Sequence, residues 1–127
     1  MEDYSLKLEY MNKTVFTSTG KWLYPLFDLE NFLNEQSYDP DKLVLYDKVI
    51  GKASSLLITR LGIKNVIGGI VSKPAEIVFK TNNIRYTPGR AVEFIDCRTE
   101  HILMDISDPD DAYEILRKRA GLLPTQP

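Results

Sequence analysis

Two apolar runs constrain this chain most: KLVLY at 42–46 and KNVIGGIVS at 64–72. The second is continuous rather than alternating, as in strands covered on both faces. Between them, VIGKASSLLITRLG (49–62) repeats its apolar residues at helical spacing, with Ile50, Ala53, Leu57 and Leu61 on one face and Gly62 as a C-cap. Apolar strands joined by a helix need a right-handed crossover and a mainly parallel sheet. The middle of the chain is therefore α/β.

The flanks extend that pattern. SLKLEYM alternates apolar and polar, and TVFTST is rich in β-branched and aromatic residues. With a tight turn at Asn12-Lys13 they read as an N-terminal hairpin, closed by Gly20. Trp22, Leu23, Leu26, Phe27, Leu29 and Leu33 fall at helical spacing. Pro25 is tolerated only in a first turn, so this helix is expected to begin near Tyr24. SYDPD is a loop by composition. KPAEIVFKTNN reads as a helix with Pro74 at its first position, IRYT as a strand, Pro88-Gly89 as a turn and AVEFIDC as a further strand. The last helix has a cap at Asp108, Pro109 at its first position, acids Asp110 and Asp111 early, bases Arg117 to Arg119 late, and Gly121 as its stop. The tail 122–127 is expected to fray. The predicted order is β-β-α-β-α-β-α-β-β-α. It implies one domain over 1–127, a three-layer α/β/α sandwich whose mixed sheet carries the N-terminal hairpin.

Composition narrows the partners. The chain has 127 residues, 43% hydrophobic and 27% charged, enough apolar material for a core without metal or disulfide staples. A net charge of −2 argues against nucleic acid as the main partner. The single cysteine, Cys97, cannot form an internal disulfide. The opening MEDYSLKLEY has no apolar signal region, and no run approaches the roughly 20 residues of a membrane helix. A cytoplasmic protein with no membrane partner is expected, and a homodimer is the default assembly.

In open α/β sheets, ligands sit beyond the strand carboxyl ends, against helix N-termini. Two such junctions are expected: Asp47, Lys48, Gly51 and Lys52 at the first, and Ser72, Lys73 and Glu76 at the second. Lysines beside exposed backbone N–H groups suit a phosphate or carboxylate. A P-loop is excluded, because Tyr46 stands where its first glycine belongs and Ala53 follows Lys52. The plainer alternative is that Asp47 caps a helix, that the lysines are solvated surface, and that Ser72 and Glu76 serve a turn. Gly68-Gly69 inside a strand suggests close approach of a helix, a bulge or a ligand, with helix packing the first choice. Cys97 and His101 lack the company needed for a zinc site or a nucleophile pair. Glu93 and Asp96, three apart in a strand, face opposite sides. No metal or cofactor is expected.

The stretches DKVIGKAS, VIGGIVSKPAEIVFKTNNIRY and MDISDPDDAYEILRKRAG resemble the domain-of-unknown-function family 1893, from about Leu6 to Gly121. The resemblance implies a cytidine-deaminase-like sandwich with a mixed five-stranded sheet. Zinc deaminases carry H-x-E and P-C-x-x-C. Here the corresponding positions read Gly51-Lys52-Ala53 and Pro74-Ala75-Glu76-Ile77-Val78, so the zinc ligands are missing. The family has no established reaction. By similarity its site is the same pair of helix starts, with Arg98 matching an arginine after the last long strand. CRTEHILMDI is shorter than the family's segment there and lacks its Cys-Pro-Met-Glu stretch. A zinc-free formyl-transferring domain also resembles this fold and uses lysine and histidine, a role open to Lys48 or Lys52. Three functions follow: binding of a small anionic or nucleotide-like ligand, a non-catalytic scaffold, or group transfer by a lysine.

Overall fold

The structure, a computed structural model, describes residues 4–95 and 102–121. Strands β1 (Leu6–Tyr10) and β2 (Lys13–Ser18) form the expected hairpin. The turn is one residue earlier than predicted. Met11 and Asn12, at φ 52° and 69°, are its two central residues, and Lys13 already pairs with Tyr10. Two left-handed residues in succession match the twist of flanking strands. Helix α1 (Tyr24–Asn34) begins where Pro25 requires. A short 3-10 turn, Pro40–Lys42, leads into β3 (Leu43–Ile50), then α2 (Lys52–Leu61), β4 (Asn65–Ser72), α3 (Lys73–Thr81), β5 (Arg85–Val92) and α4 (Pro109–Ala120).

Among the described residues the result is an α/β fold with four helices and a mixed five-stranded sheet, ordered β2-β1-β3-β4-β5. β1 is antiparallel to both β2 and β3, while β3, β4 and β5 run parallel. The crossovers through α1, α2 and α3 all advance along the sheet in one direction. Right-handedness therefore places the three helices on one face. That face carries buried Leu6, Leu8, Leu43, Leu45 and Val66. The opposite face carries Lys7, Glu9, Val44, Tyr46 and Ile67, all half-buried, and exposed Thr87. There Lys7 pairs with Glu9 at 3.3 Å and lies 4.5 Å over the Tyr46 ring.

α2 is the centre of the helical side. It packs against α1, α3 and α4 as well as β3. This explains why Ala53 through Ile58 are all buried, where periodicity alone gave one apolar face. α4 lies over α2 through Ala112 and Leu116, both wholly buried. A polar cluster ties α1, α2 and α4. Arg60 Nη1 donates to Glu30 Oε2 at 2.6 Å and its guanidinium lies 3.5 Å from the Tyr113 ring centre, while Tyr113 donates to Glu30 Oε1 at 2.9 Å.

Three expectations are corrected. First, β3 continues to Ile50, so Asp47, Lys48 and Ile50 belong to a strand and not to a helix start. Second, Pro88-Gly89 is not a turn. Both lie inside β5, with Pro88 in register with Gly68, so IRYT and the start of AVEFIDC form one strand. Third, Gly68-Gly69 answers to β3 and to its own strand and not to a helix. A Cβ on Gly68 would lie 2.5 Å from Val71 Cγ2 and 3.0 Å from Ile50 Cδ1, and one on Gly69 would lie 2.5 Å from the Lys48 carbonyl oxygen. Ile50 and Val71 are wholly buried, and glycine makes the space they fill. Cys97, Arg98, His101, Asp96 and the tail 122–127 lie outside the described residues.

Candidate functional site

A cleft of about 440 Å³ opens at the carboxyl end of β3. Its walls come from several places in the chain, Ser5, Leu6 and Ile95 among them. β3 supplies Asp47, Lys48 and Val49, the start of α2 supplies Gly51, Ala53 and Ser54, and the loop from β2 to α1 supplies Lys21 and Trp22. That loop is anchored. Ser5 Oγ donates to the Gly20 carbonyl at 2.7 Å, and the Gly20 N–H donates to Ser18 Oγ at 3.1 Å. Leu23, buried at the N-terminus of α1, then fixes where Trp22 emerges.

Asp47 has the most perturbed environment. Burial raises its carboxyl pKa to about 7, although backbone N–H groups of Val49 and Lys48 donate to it and favour the charged form. Its cross-strand neighbours are Leu6 and Gly68, neither of which carries a charge. A carboxyl titrating near neutrality can donate or accept a hydrogen bond under the same conditions. It is not the helix cap considered above, because Gly51 occupies that position.

The other predicted residues divide. Lys48 is exposed and lines the cleft, and so does Gly51. Lys52 does not line it. Its Nζ donates to the Met104 carbonyl at 3.1 Å, tying the start of α2 to the segment before α4. Ser72 is wholly buried and its Oγ accepts from the Ala75 N–H at 3.2 Å, so it caps α3 and does not face the cleft. The two helix starts therefore do not share one cavity; only that of α2 contributes to the cleft. Lys21, Trp22 and Ser54 are cleft residues that sequence reasoning missed. Trp22 was counted as an apolar position of helical spacing, yet it precedes the helix, is 43% exposed and has φ 56°.

A second depression of about 320 Å³ lies on the other side of Asp47 and Lys48, bounded by Lys7, Tyr46 and Gly69. Lys7, the basic group on this side, is engaged with Glu9 and Tyr46. Among the described residues no three His, Cys, Asp or Glu gather as a metal-binding group, and no helix is long and apolar enough to cross a membrane.

No curated protein matches this chain. Among solved structures, the crystal structure of a DUF1893 family protein (TM1506) from Thermotoga maritima is similar, with a TM-score of 0.80 at 20% sequence identity over 92% of this chain and 81% of that one. At that identity the likeness is one of fold. The family described as TM1506, Domain of unknown function (DUF1893), matches residues 1–119, and the chain belongs to it.

Proposed function

We propose that this chain is a zinc-free protein of deaminase-like fold that binds a small anionic, nucleotide-like ligand in the cleft at the end of β3. The observation that carries the reading is the cleft itself: a half-buried carboxyl titrating near 7 beside Lys48 at the carboxyl end of β3, with the start of α2 next to them. Lys21 and Lys48 would neutralise a phosphate or carboxylate, and Gly51 lets the ligand approach the backbone. The hairpin and mixed five-stranded sheet support the deaminase-like part. With α1 to α3 on one face, the reading gives up the second helical layer of the sandwich. The zinc-free part rests on the residues at the two motif positions, Gly51-Lys52-Ala53 and Pro74 to Val78, which supply no thiolate or imidazole.

Group transfer by a lysine is less well supported. It calls for a lysine shielded from water, whereas Lys48 is exposed and Lys52 is half-buried and bonded to Met104. The test is a thermal-shift panel of nucleotides, sugar phosphates and carboxylates on wild type and Lys48→Ala. A ligand of the folded state raises the midpoint by mass action, by about 2.7 kcal/mol of stability at a hundredfold excess over its Kd. The expected result is a shift for phosphorylated compounds that shrinks in the variant. No shift with any compound refutes the reading.

A further inference from the structure

We infer that the cleft reads a flat heteroaromatic ring, stacked on Trp22 and hydrogen-bonded along one edge by Asp47, so that its ligand is nucleobase-like and not merely a small anion. This rests on the cleft being a binding site, and adds the chemical class of what it takes.

Trp22 is the first observation. Its φ of 56° places a bulky side chain in the left-handed region, where such residues are outliers. Strain of this kind persists where the surroundings hold it, and it concentrates at ligand sites. The residue lies outside α1, is 43% exposed and lines the cleft. Tyr24 and Trp22 form a T-shaped pair, ring centres 5.2 Å apart and planes at 68°, and the Tyr24 hydroxyl donates to the Ala120 carbonyl at 3.4 Å. The Tyr24 contact thus holds the indole, and its exposed remainder offers aromatic surface to a planar ring.

The polar groups supply the second observation. Ser54 is only 8% exposed and lines the cleft, and among the described residues its hydroxyl has no side-chain hydrogen bond. Among the described residues no wholly buried side-chain polar atom is left unpaired, so that hydroxyl keeps some exposure, on a residue that lines the cleft. Asp47 lies in the same wall. A neutral carboxyl presents a donor beside an acceptor, and an ionised one presents two acceptors. Heterocycle edges with an N–H beside a ring nitrogen or carbonyl match the first form, and edges with two N–H donors match the second. A plain sugar phosphate has no such edge, and it stacks on Trp22 over less area than a planar base does.

Trp22 is the sole tryptophan of the chain, so its fluorescence reports on this site alone. The full-length protein is titrated with AMP, CMP, GMP and UMP, with their nucleosides, and with ribose 5-phosphate. The expected result is quenching by at least one nucleotide and its nucleoside, and binding about tenfold or more tighter than ribose 5-phosphate. Trp22→Leu, followed by calorimetry and checked for fold by circular dichroism, should bring the nucleotide down to the ribose 5-phosphate level. Asp47→Asn should change the ranking of the bases and leave ribose 5-phosphate unaffected. Equal affinity for ribose 5-phosphate and every nucleotide overturns the ring-reading inference while leaving anion binding intact. So does a Trp22→Leu variant that keeps its nucleotide affinity. Binding of none of these compounds overturns both readings.

Discussion

Asp47 stands in register with Gly68 across the parallel β3–β4 ladder, so the acid has no side chain beside it on that strand. Leu6 is its partner on the other side. Burial between these neighbours is what raises the carboxyl to about 7, from 3.8 in its unperturbed state. The folded chain therefore retains a proton that the unfolded chain releases. Stability falls as pH rises from about 4 to 7, and the deficit is complete above that window. At about 1.4 kcal/mol per pKa unit it amounts to roughly 4 kcal/mol at most.

Asp47→Asn should remove that deficit, since the amide is neutral at every pH. The variant is expected to melt above wild type at pH 8, with a gap that narrows towards pH 4. Midpoints measured from pH 4 to 8 decide the matter. A gap of constant size across the range would show that the carboxyl carries no such burden.

Lys48 presents the opposite case, an exposed side chain on a strand whose backbone supplies the ladder. Lys48→Ala should change folding stability by less than about 0.5 kcal/mol. It should weaken the best nucleotide binder of the thermal-shift panel, and added salt should weaken wild-type binding in the same direction. Calorimetric titration at two salt concentrations is the check. Unchanged affinity in the variant removes this lysine from the site.

Gly69→Ala should cost about 1–3 kcal/mol, because the new Cβ would meet the Lys48 carbonyl oxygen, a backbone atom with no rotamer to escape into. Urea denaturation measures it. A loss under 0.5 kcal/mol would mean that the two strands separate more readily than the register implies.

Arg60→Met should cost about 1–3 kcal/mol, mainly by leaving the Glu30 carboxylate, 13% exposed, with only the longer 3.8 Å pairing to Arg117. Burial and the bond to Glu30 also raise the Tyr113 phenol above its ordinary range. The contact from Arg60 to Asp110 adds little, since Asp110 is 82% exposed. Asp110→Asn should therefore be nearly silent in the same denaturation experiment. Equal losses in the two variants would refute this division.

The helix boundaries were legible because capping is local chemistry. Pro25, Pro74, Asp108, Gly62 and Gly121 each act on residues within one turn of themselves, whereas the cap at Ser72 was read as a ligand group. The β3–α2 boundary was misplaced for a tertiary reason. Asp47 and Lys48 resemble turn residues, yet they lie at a strand end that faces a cleft, where polar side chains meet no core. Pro88-Gly89 misled similarly, because a proline in an outermost strand loses no ladder bond on its open side. Of the site, Asp47, Lys48 and Gly51 were named from sequence. Trp22 was not, since its exposure follows from a backbone angle that no periodicity encodes.

Pro88 also bears on how the protein behaves when crowded. Among the described residues β5 is the last strand of the sheet, and an outermost parallel strand ordinarily offers amide hydrogens to any passing extended chain. An imide nitrogen midway along that rim has none to give, so a sixth strand would zip up only as far as the gap. Strand-by-strand polymerisation is thereby obstructed on this flank by one covalent ring, at no expense to the pairing with β4.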